Sequence, residues 1–197
     1  MTQFSLFGAE AAAPAPADLD GLLIAGGRWV RSAVGARLSV VVANRWRADA
    51  LITAFAERNV DGPDAVVDAA TGYGVRTAFT PDLVEHAARW TRGASQGLPA
   101  QFRLGPGGLR LWAIAAGRRD DVGYLLATPN ADDPIHQSAG AQLSRLGVAA
   151  VSLAQRGGPG WRVTSVRRLR RLGELLGPPP PGAVDDWPDL VHRTALA

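Results

Sequence analysis

Several residue types that carry chemistry are missing or scarce in this chain of 197 residues. It contains no cysteine, no lysine and only three histidines, His86, His136 and His192. The absence of cysteine excludes a disulfide framework, a zinc–thiolate site and a cysteine nucleophile. The three histidines lack the spacing of metal ligands, so we expect each to be an ordinary surface or core side chain.

Long apolar runs are also absent. No stretch approaches the roughly 20 residues that cross a bilayer as a helix. The N-terminus does not show the charged and then apolar pattern of a signal peptide. Apolar residues make up 47% of the chain, which is enough for one well-packed domain. We therefore expect a soluble, cytoplasmic protein with no membrane partner.

All 21 basic residues are arginines, and the formal net charge is +3. Such a bias, in a chain rich in alanine, glycine and proline, is typical of GC-rich bacterial genomes and requires no functional cause. Arginine nevertheless makes planar, multidentate contacts with phosphate that lysine cannot make. A basic surface therefore also agrees with a polyanionic partner.

Two pairs of similar segments indicate an internal duplication. LDGLLIAGGR at 19–28 matches LRLWAIAAGR at 109–118, and GYGVRTAFTPDL at 72–83 matches GPGWRVTSVRRL at 158–169. Because order and spacing are kept, we predict that the chain contains two related halves. Chance similarity in a chain rich in alanine, glycine and leucine is the alternative.

The two predicted halves, about residues 18–93 and 108–177, share one order of elements. Apolar helical spacing, β-branched runs and glycine turns predict helix, strand, strand, helix, strand, strand and helix in each half. Residues 1–17 are predicted to be a tail and a flexible linker that includes AAAPAPA. Residues 178–197 are predicted to be a stiff polyproline spacer followed by an acidic tail.

The duplicated pattern resembles the LAGLIDADG homing-endonuclease family, an α/β (α+β) fold with pseudo-twofold symmetry and a saddle-shaped antiparallel sheet. LDGLLIAGG lies over the motif that names the family, and LRLWAIAAG does so more loosely. The resemblance implies that the two motif helices pack side by side through small residues. Those small residues are Gly21, Ala25, Ala113 and Ala115. An apolar core helix in another α/β domain is the alternative.

The resemblance also implies where a nuclease of this family places its catalytic acids, at the eighth position of each motif. These positions are Gly26 and Ala116 here, and neither side chain can bind a metal. We therefore expect no catalytic residue, no metal and no cofactor. The sporulation regulator WhiA resembles this case, but it also has a helix-turn-helix domain, for which no room remains. Candidates for a displaced metal site are Asp120, Asp121, Asp132 and Asp133.

In the family, the concave face of the sheet lies along DNA, and strand alternation predicts which side chains reach that face. The apolar residues of ARLSVVV are expected to face helices and Arg37 the opposite side. In GVRTAF, Phe79 is expected to face inward and Arg76 outward. Seven arginines are expected to contact phosphate: Arg28, Arg31, Arg37, Arg76, Arg118, Arg119 and Arg162. The run RRLRR at 167–171 is expected to be the polar side of the last helix, with phosphate contact only at its edge.

The first residues of the chain contain QFSLF, which resembles the pentapeptide by which bacterial polymerases and repair proteins bind the DNA sliding clamp. In that motif, Gln3 hydrogen-bonds at a pocket rim, and Leu6 and Phe7 fill an apolar pocket. Burial of a leucine and a phenylalanine contributes roughly 3–6 kcal/mol before the cost of ordering the tail. The alternative is that Phe4 and Phe7 cover the core of the domain itself.

Together these features predict a monomeric, non-catalytic DNA-binding accessory protein, recruited to the sliding clamp in replication or repair. Its expected partners are the clamp, double-stranded DNA and polymerase or repair proteins, and its expected location is the nucleoid. The alternatives are a structure-specific, metal-dependent nuclease that uses acids such as Asp132 and Asp133, a transcription regulator, and a protein adaptor.

Overall fold

Both halves of the chain form the same succession of elements. The computed structural model describes residues 13–93, 95–154 and 158–188. Its helices are α1 (Asp20–Ile24), α2 (Arg45–Ala56), α3 (Val84–Arg89), α4 (Pro106–Ala116), α5 (Pro134–Arg145) and α6 (Val166–Leu176). Its strands are β1 (Arg28–Ser32), β2 (Gly35–Val42), β3 (Val66–Ala69), β4 (Gly72–Arg76), β5 (Thr91–Arg92), β6 (Ser95–Gln96), β7 (Gly117–Arg119), β8 (Tyr124–Ala127), β9 (Val151–Leu153) and β10 (Gly160–Val163).

The strands confirm the predicted antiparallel α/β architecture. The first half forms a four-stranded sheet in the order β1-β2-β4-β3, and the second half repeats this order as β7-β8-β10-β9. All pairings in both sheets are antiparallel. The antiparallel sheet is thus divided into one sheet per half. The short hairpin β5–β6, between the halves, was not predicted. Among the described residues, no helix combines the length and apolar character that crossing a membrane requires.

The first motif helix is shorter than the sequence predicts. Residues 16–19 form a 3₁₀ turn, which leads into α1. After Ile24 the chain leaves the helix at Gly26, whose φ of +95° lies in the left-handed region that favours glycine. The Gly27 N–H donates to the Leu22 carbonyl at 2.8 Å and so closes the helix end. The helix therefore ends just before β1 begins.

Helices α1 and α4 lie against each other at the centre of the molecule. A Cβ atom on Gly21 would overlap the carbonyl oxygen of Gly108, so the two backbones touch. The resemblance implied close approach at Gly21, and the structure pairs that glycine with Gly108, which sequence comparison did not single out. Both helices contribute fully buried side chains, such as Leu22 and Trp112. These side chains belong to one apolar core.

The guanidinium of Arg47, on α2, connects the two halves at the C-terminal end of α4. It donates hydrogen bonds to the carbonyls of Ile114 and Gly117, both at 2.7 Å, and lies 3.3 Å from the Asp186 carboxylate. The last carbonyls of a helix have no partners within the helix and carry a partial negative charge. Burial lowers the pKa of Arg47, and Asp186 acts in the opposite direction.

The segment after α6 packs on the helices over its described part, residues 178–188. Trp187 is 4% exposed, and its indole N–H donates to the Gly177 carbonyl at 2.9 Å. Arg110 lies over the Trp187 ring and donates to the Pro178 carbonyl. Burial of this tryptophan side chain holds the described part of the predicted spacer and acidic tail on the domain.

We predict that Gly21→Ala lowers the free energy of unfolding by about 3 kcal/mol, because the added methyl group overlaps backbone that cannot move aside. The expected fall in melting temperature is roughly 5–10 °C. Gly105→Ala is the control, since a Cβ there meets no atom within 4 Å. An equal loss in both variants would show that the α1–α4 contact is not close.

We also predict that Arg47→Met destabilises the protein by about 3 kcal/mol in urea unfolding, because buried carbonyls and a carboxylate lose their partner. The matched control is Arg45→Met on the same helix, where Arg45 is exposed, pairs with Asp49 and lies 5.9 Å from the centre of the Tyr73 ring. That variant is expected to lose less than about 1 kcal/mol. Similar losses would contradict a connecting role for Arg47.

Candidate nucleic-acid interface

The C-terminal ends of the two motif helices open onto one cleft. Gly26 follows α1 and Ala116 ends α4, and both line this cleft, together with the start of β1 and the middle of β2. The cleft continues beside the end of α4, where its walls include Asn44, Arg47 and Asp186. The positions at which the resemblance implies catalytic acids are therefore close together in space.

Neither of the two motif positions in this cleft carries an acidic side chain. Neither Gly26 nor Ala116 offers a side-chain oxygen, and the nearby Asp186 carboxylate pairs with Arg47. Within residues 13–93, 95–154 and 158–188, no group of three histidine, aspartate or glutamate side chains is arranged to hold a metal ion. The buried guanidinium of Arg47 is engaged by the α4 carbonyls and by Asp186, and the walls of the cleft also include Arg28 and Arg118.

The register of the sheets places arginines in two corresponding rows. In the first sheet Arg28 lies opposite Ser39, which in turn lies opposite Arg76. In the second sheet Arg118 lies opposite Leu125, which lies opposite Arg162. Directly paired residues point to the same face of a sheet. Each row therefore presents two arginines on the face turned away from the helices, which we call the outer face.

The arginines of one row are separated by a single central strand. Because neighbouring strands lie 4.7–4.9 Å apart, the two backbone positions are about 10 Å apart. The middle residues differ: Ser39 is half-buried, whereas Leu125 is fully buried. Between and beside the arginines the outer face carries exposed apolar residues, with Val30 38% and Val41 54% exposed.

Arg37 also lies on the outer face, opposite Val30. Its guanidinium is 4.4 Å from the centre of the Phe79 ring, which agrees with a cation–π contact. The expectation that Phe79 faces the core is therefore wrong. Thr77 takes up the inward position, where its hydroxyl accepts a hydrogen bond from the Leu38 N–H at 3.0 Å. The chain leaves regular pairing after β4, which carries Phe79 to the outer side.

Arg162 is partly neutralised within the molecule. Its guanidinium lies 2.7 Å from the carboxylate of Asp120, which also accepts hydrogen bonds from the Val122 and Gly123 N–H groups. Burial acts to raise the pKa of Asp120, but these hydrogen bonds and Arg162 together bring it below its usual value. The carboxylate therefore stays charged and holds Arg162.

Two of the seven predicted arginines lie on the other face. Arg31 is opposite the buried Ala36, and Arg119 is opposite the buried Tyr124. Because adjacent residues of a strand alternate in direction, Arg31 cannot share a face with Arg28, nor Arg119 with Arg118. The seven arginines therefore do not share one face: Arg28, Arg37, Arg76, Arg118 and Arg162 lie on the outer face, and the expected contact with phosphate stays a prediction.

The other candidate carboxylates have structural contacts or lie in loops. The Asp133 side chain accepts a hydrogen bond from the Ile135 N–H at 2.8 Å and so caps α5. Asp120 accepts hydrogen bonds from the backbone of a turn and forms an ion pair with Arg162. Asp132 is exposed, and its backbone N–H donates to the Asn130 side chain. A displaced metal site built on these residues has no support in their geometry.

One chain of hydrogen-bonded side chains, centred on His136, was not predicted from the sequence. The His136 ring lies 2.8 Å from the Thr128 hydroxyl through Nδ1 and 2.8 Å from the Ser152 hydroxyl through Nε2. It also stacks on Trp161. Burial lowers the pKa of His136, while Asp132 and Asp133 act in the opposite direction. No spacing rule brings these residues together, because they come from α5, β9, β10 and the loop that follows β8.

The predicted clamp-binding residues Gln3, Leu6 and Phe7 lie outside the described residues. Their role remains a prediction from the sequence.

Comparison with known proteins gives similarity at the level of structure alone. No protein-family model matches the chain, and no curated protein matches it either. Two structures of the homing endonuclease I-DmoI, one in complex with DNA and Mn and one of mesophilic variants, are each 19% identical with TM-scores of 0.48. They cover 82% and 81% of this chain and 96% and 94% of their own chains.

The structure of the homing endonuclease I-WcaI bound to its DNA recognition sequence is more similar in shape. It gives a TM-score of 0.59 at 10% identity and covers 81% of this chain and 78% of its own. At so low an identity the similarity concerns the fold, and it confirms the expectation from the duplicated motif: this chain has the fold of the LAGLIDADG homing endonucleases.

Proposed function

We propose that this protein binds double-stranded DNA through the outer face of its sheets. The observation that carries the proposal is the repetition of one arginine row in both halves, Arg28–Ser39–Arg76 and Arg118–Leu125–Arg162. Guanidinium groups at regular spacing suit the phosphates of a duplex, which dominate affinity without reading sequence. The DNA-bound state of I-WcaI supports the same ligand for this fold.

We further propose that binding is not followed by cleavage. Phosphodiester hydrolysis on this type of scaffold needs acids that hold divalent metals at the helix ends. Gly26 and Ala116 provide none, and the end of α4 is occupied by the guanidinium of Arg47. The protein would therefore hold DNA rather than cut it.

Recruitment to the sliding clamp would give such a binder its location. QFSLF is followed by AAAPAPA at 11–17, whose last two residues begin the first described helical turn. The proposed role is thus an accessory protein of DNA replication or repair in the nucleoid, with polymerase or repair proteins as further partners. A short tail motif contributes only a weak contact with the clamp. Simultaneous binding of the domain to DNA would raise the overall affinity.

A protein adaptor is the second candidate. The outer face carries exposed valines, among them Val41 and Val151 at 54% and 57% exposure, and Asp120 neutralises one of its arginines. Apolar contacts of this kind suit a protein surface better than a phosphate backbone. Under this candidate the clamp motif would be kept, and binding to DNA would be weak and insensitive to the outer arginines.

We predict that Arg28→Gln with Arg76→Gln weakens duplex binding and lowers the salt dependence of affinity. Loss of two phosphate contacts reduces the slope of log K against log salt by about 1.8. The matched control is Arg92→Gln with Arg103→Gln, which removes the same charge from exposed positions outside both rows. Fluorescence anisotropy at several salt concentrations measures both.

Asp120→Asn tests the effect of adding free positive charge to the outer face. The change removes the ion pair with Arg162 but keeps a side-chain oxygen that can accept hydrogen bonds from Val122 and Gly123. We expect tighter binding, whereas Asp49→Asn, at an exposed pair on α2, should leave affinity unchanged. Equal slopes in the row variant and its control would favour the adaptor. Cutting of DNA by the purified protein with magnesium or manganese would overturn the non-catalytic proposal.

We predict that a peptide of residues 1–10 binds the bacterial sliding clamp in the micromolar range, because burial of two side chains is offset by ordering of the tail. In the full chain, Leu6→Ala with Phe7→Ala should abolish clamp binding in surface plasmon resonance. The melting temperature should stay the same. A fall of several degrees would mean instead that these residues pack on the core.

A further inference from the structure

Helix α6 carries a dense basic cluster on its exposed side. Four arginines lie within five residues, and they border a shallow depression together with Gly147, Ser165 and Glu174. The cluster consists of Arg167, Arg168, Arg170 and Arg171, and we call it the α6 cluster. The leucines of the same helix, Leu169, Leu172 and Leu176, are buried in the core. The sequence expectation of a polar helix side is confirmed, and its charge needs a further explanation.

The α6 cluster is unfavourable for folding. Several arginines elsewhere in the described chain pair with carboxylates, such as Arg58 with Asp18 at 2.8 Å. In the α6 cluster only Arg171 makes an ion pair, with Glu174 at 3.3 Å; none is found for the other three among the described residues. No acidic residue lies in the first turn of the helix.

Two electrostatic effects oppose this arrangement. Cations near the N-terminus of a helix face the positive end of the helix dipole. Arg167 also lies three and four positions from Arg170 and Arg171, where like charges repel each other. A bound polyanion relieves both effects at once. The charge therefore lowers the stability of the helix, and binding of a polyanion would restore it.

We propose that the α6 cluster is a second nucleic-acid-binding surface, on the helical side of the molecule and separate from the outer face. Helix α6 packs on α4 through its leucines, so its arginines point away from both α4 and the sheets. A duplex segment on this surface and another on the outer face would be held on opposite sides. The protein would then bridge two segments of nucleic acid.

Nucleic acid fits this surface better than the other polyanions. Insertion into an anionic membrane requires an exposed apolar side on the helix, but the α6 leucines are buried. A protein partner of high affinity requires apolar or aromatic anchors in pockets, and the depression is lined by arginines, a serine, a glycine and a glutamate. A phosphate backbone requires only regularly placed cations.

The bridging part of this inference rests on the proposed function of the outer face, whereas binding at α6 does not. The test compares Arg167→Gln with Arg170→Gln against the control pair Arg92→Gln with Arg103→Gln. Duplex affinity is titrated against salt for the full chain, and melting temperatures confirm folding. Bridging is measured as energy transfer between two duplexes that carry different fluorophores.

We expect the α6 variant to lose about 1.8 from the salt slope and to lose energy transfer, while the control keeps both. A row variant, Arg28→Gln with Arg76→Gln, should also lose energy transfer. An α6 variant with the slope and transfer of the control overturns the inference. If the α6 variant loses affinity and the row variant does not, the α6 surface stands and the proposed function of the outer face fails.

Discussion

The backbone contact between α1 and α4 is the constraint on which the rest of the architecture depends. At Gly21 and Gly108 no side chain separates the helices, so their C-terminal ends reach one cleft. Strand β1 begins shortly after α1, and β7 begins directly after α4. Closely packed helices therefore place the first arginine of each row, Arg28 and Arg118, at related positions. A bulkier residue at Gly21 would overlap the Gly108 backbone and push the two helices apart.

The same geometry bears on the proposal that the protein does not cut DNA. Helix ends that face one cleft concentrate the partial negative charge of their carbonyls. Acidic side chains at this place need a metal to relieve their repulsion. With Gly26 and Ala116 there, the carbonyls of α4 are satisfied by Arg47, which is held in turn by Asp186. Under the proposed function, a site for cutting has become part of the structural core.

The distribution of arginine shows two uses of one residue type. Arg47 and Arg58 are buried, bond to carbonyls and carboxylates, and connect separate elements. The outer arginines and those of α6 lie at the surface, where a planar guanidinium suits phosphate. Net charge alone does not separate these uses, because it counts a buried, paired arginine and an exposed one equally. Burial and ion pairing distinguish the structural arginines from the surface arginines.

The sequence by itself determined the duplicated order of elements, the antiparallel α/β class and the absence of acids at Gly26 and Ala116. These are local properties: periodicity reports which side of an element is buried, and a motif position needs only alignment. Alternation along β2 also predicts that Arg37 and its neighbour Leu38 point to opposite faces of the sheet.

Only the tertiary structure decided which arginines share a face across strands and which are neutralised. Arg31 and Arg119 lie on the helical side because strand pairing sets their register, and Arg162 meets Asp120 through a turn 42 positions away in sequence. Likewise, only the tertiary structure shows that Trp187 is buried and that Asp186 pairs with Arg47. Contacts between distant segments depend on packing of the whole core, and no local pattern encodes them.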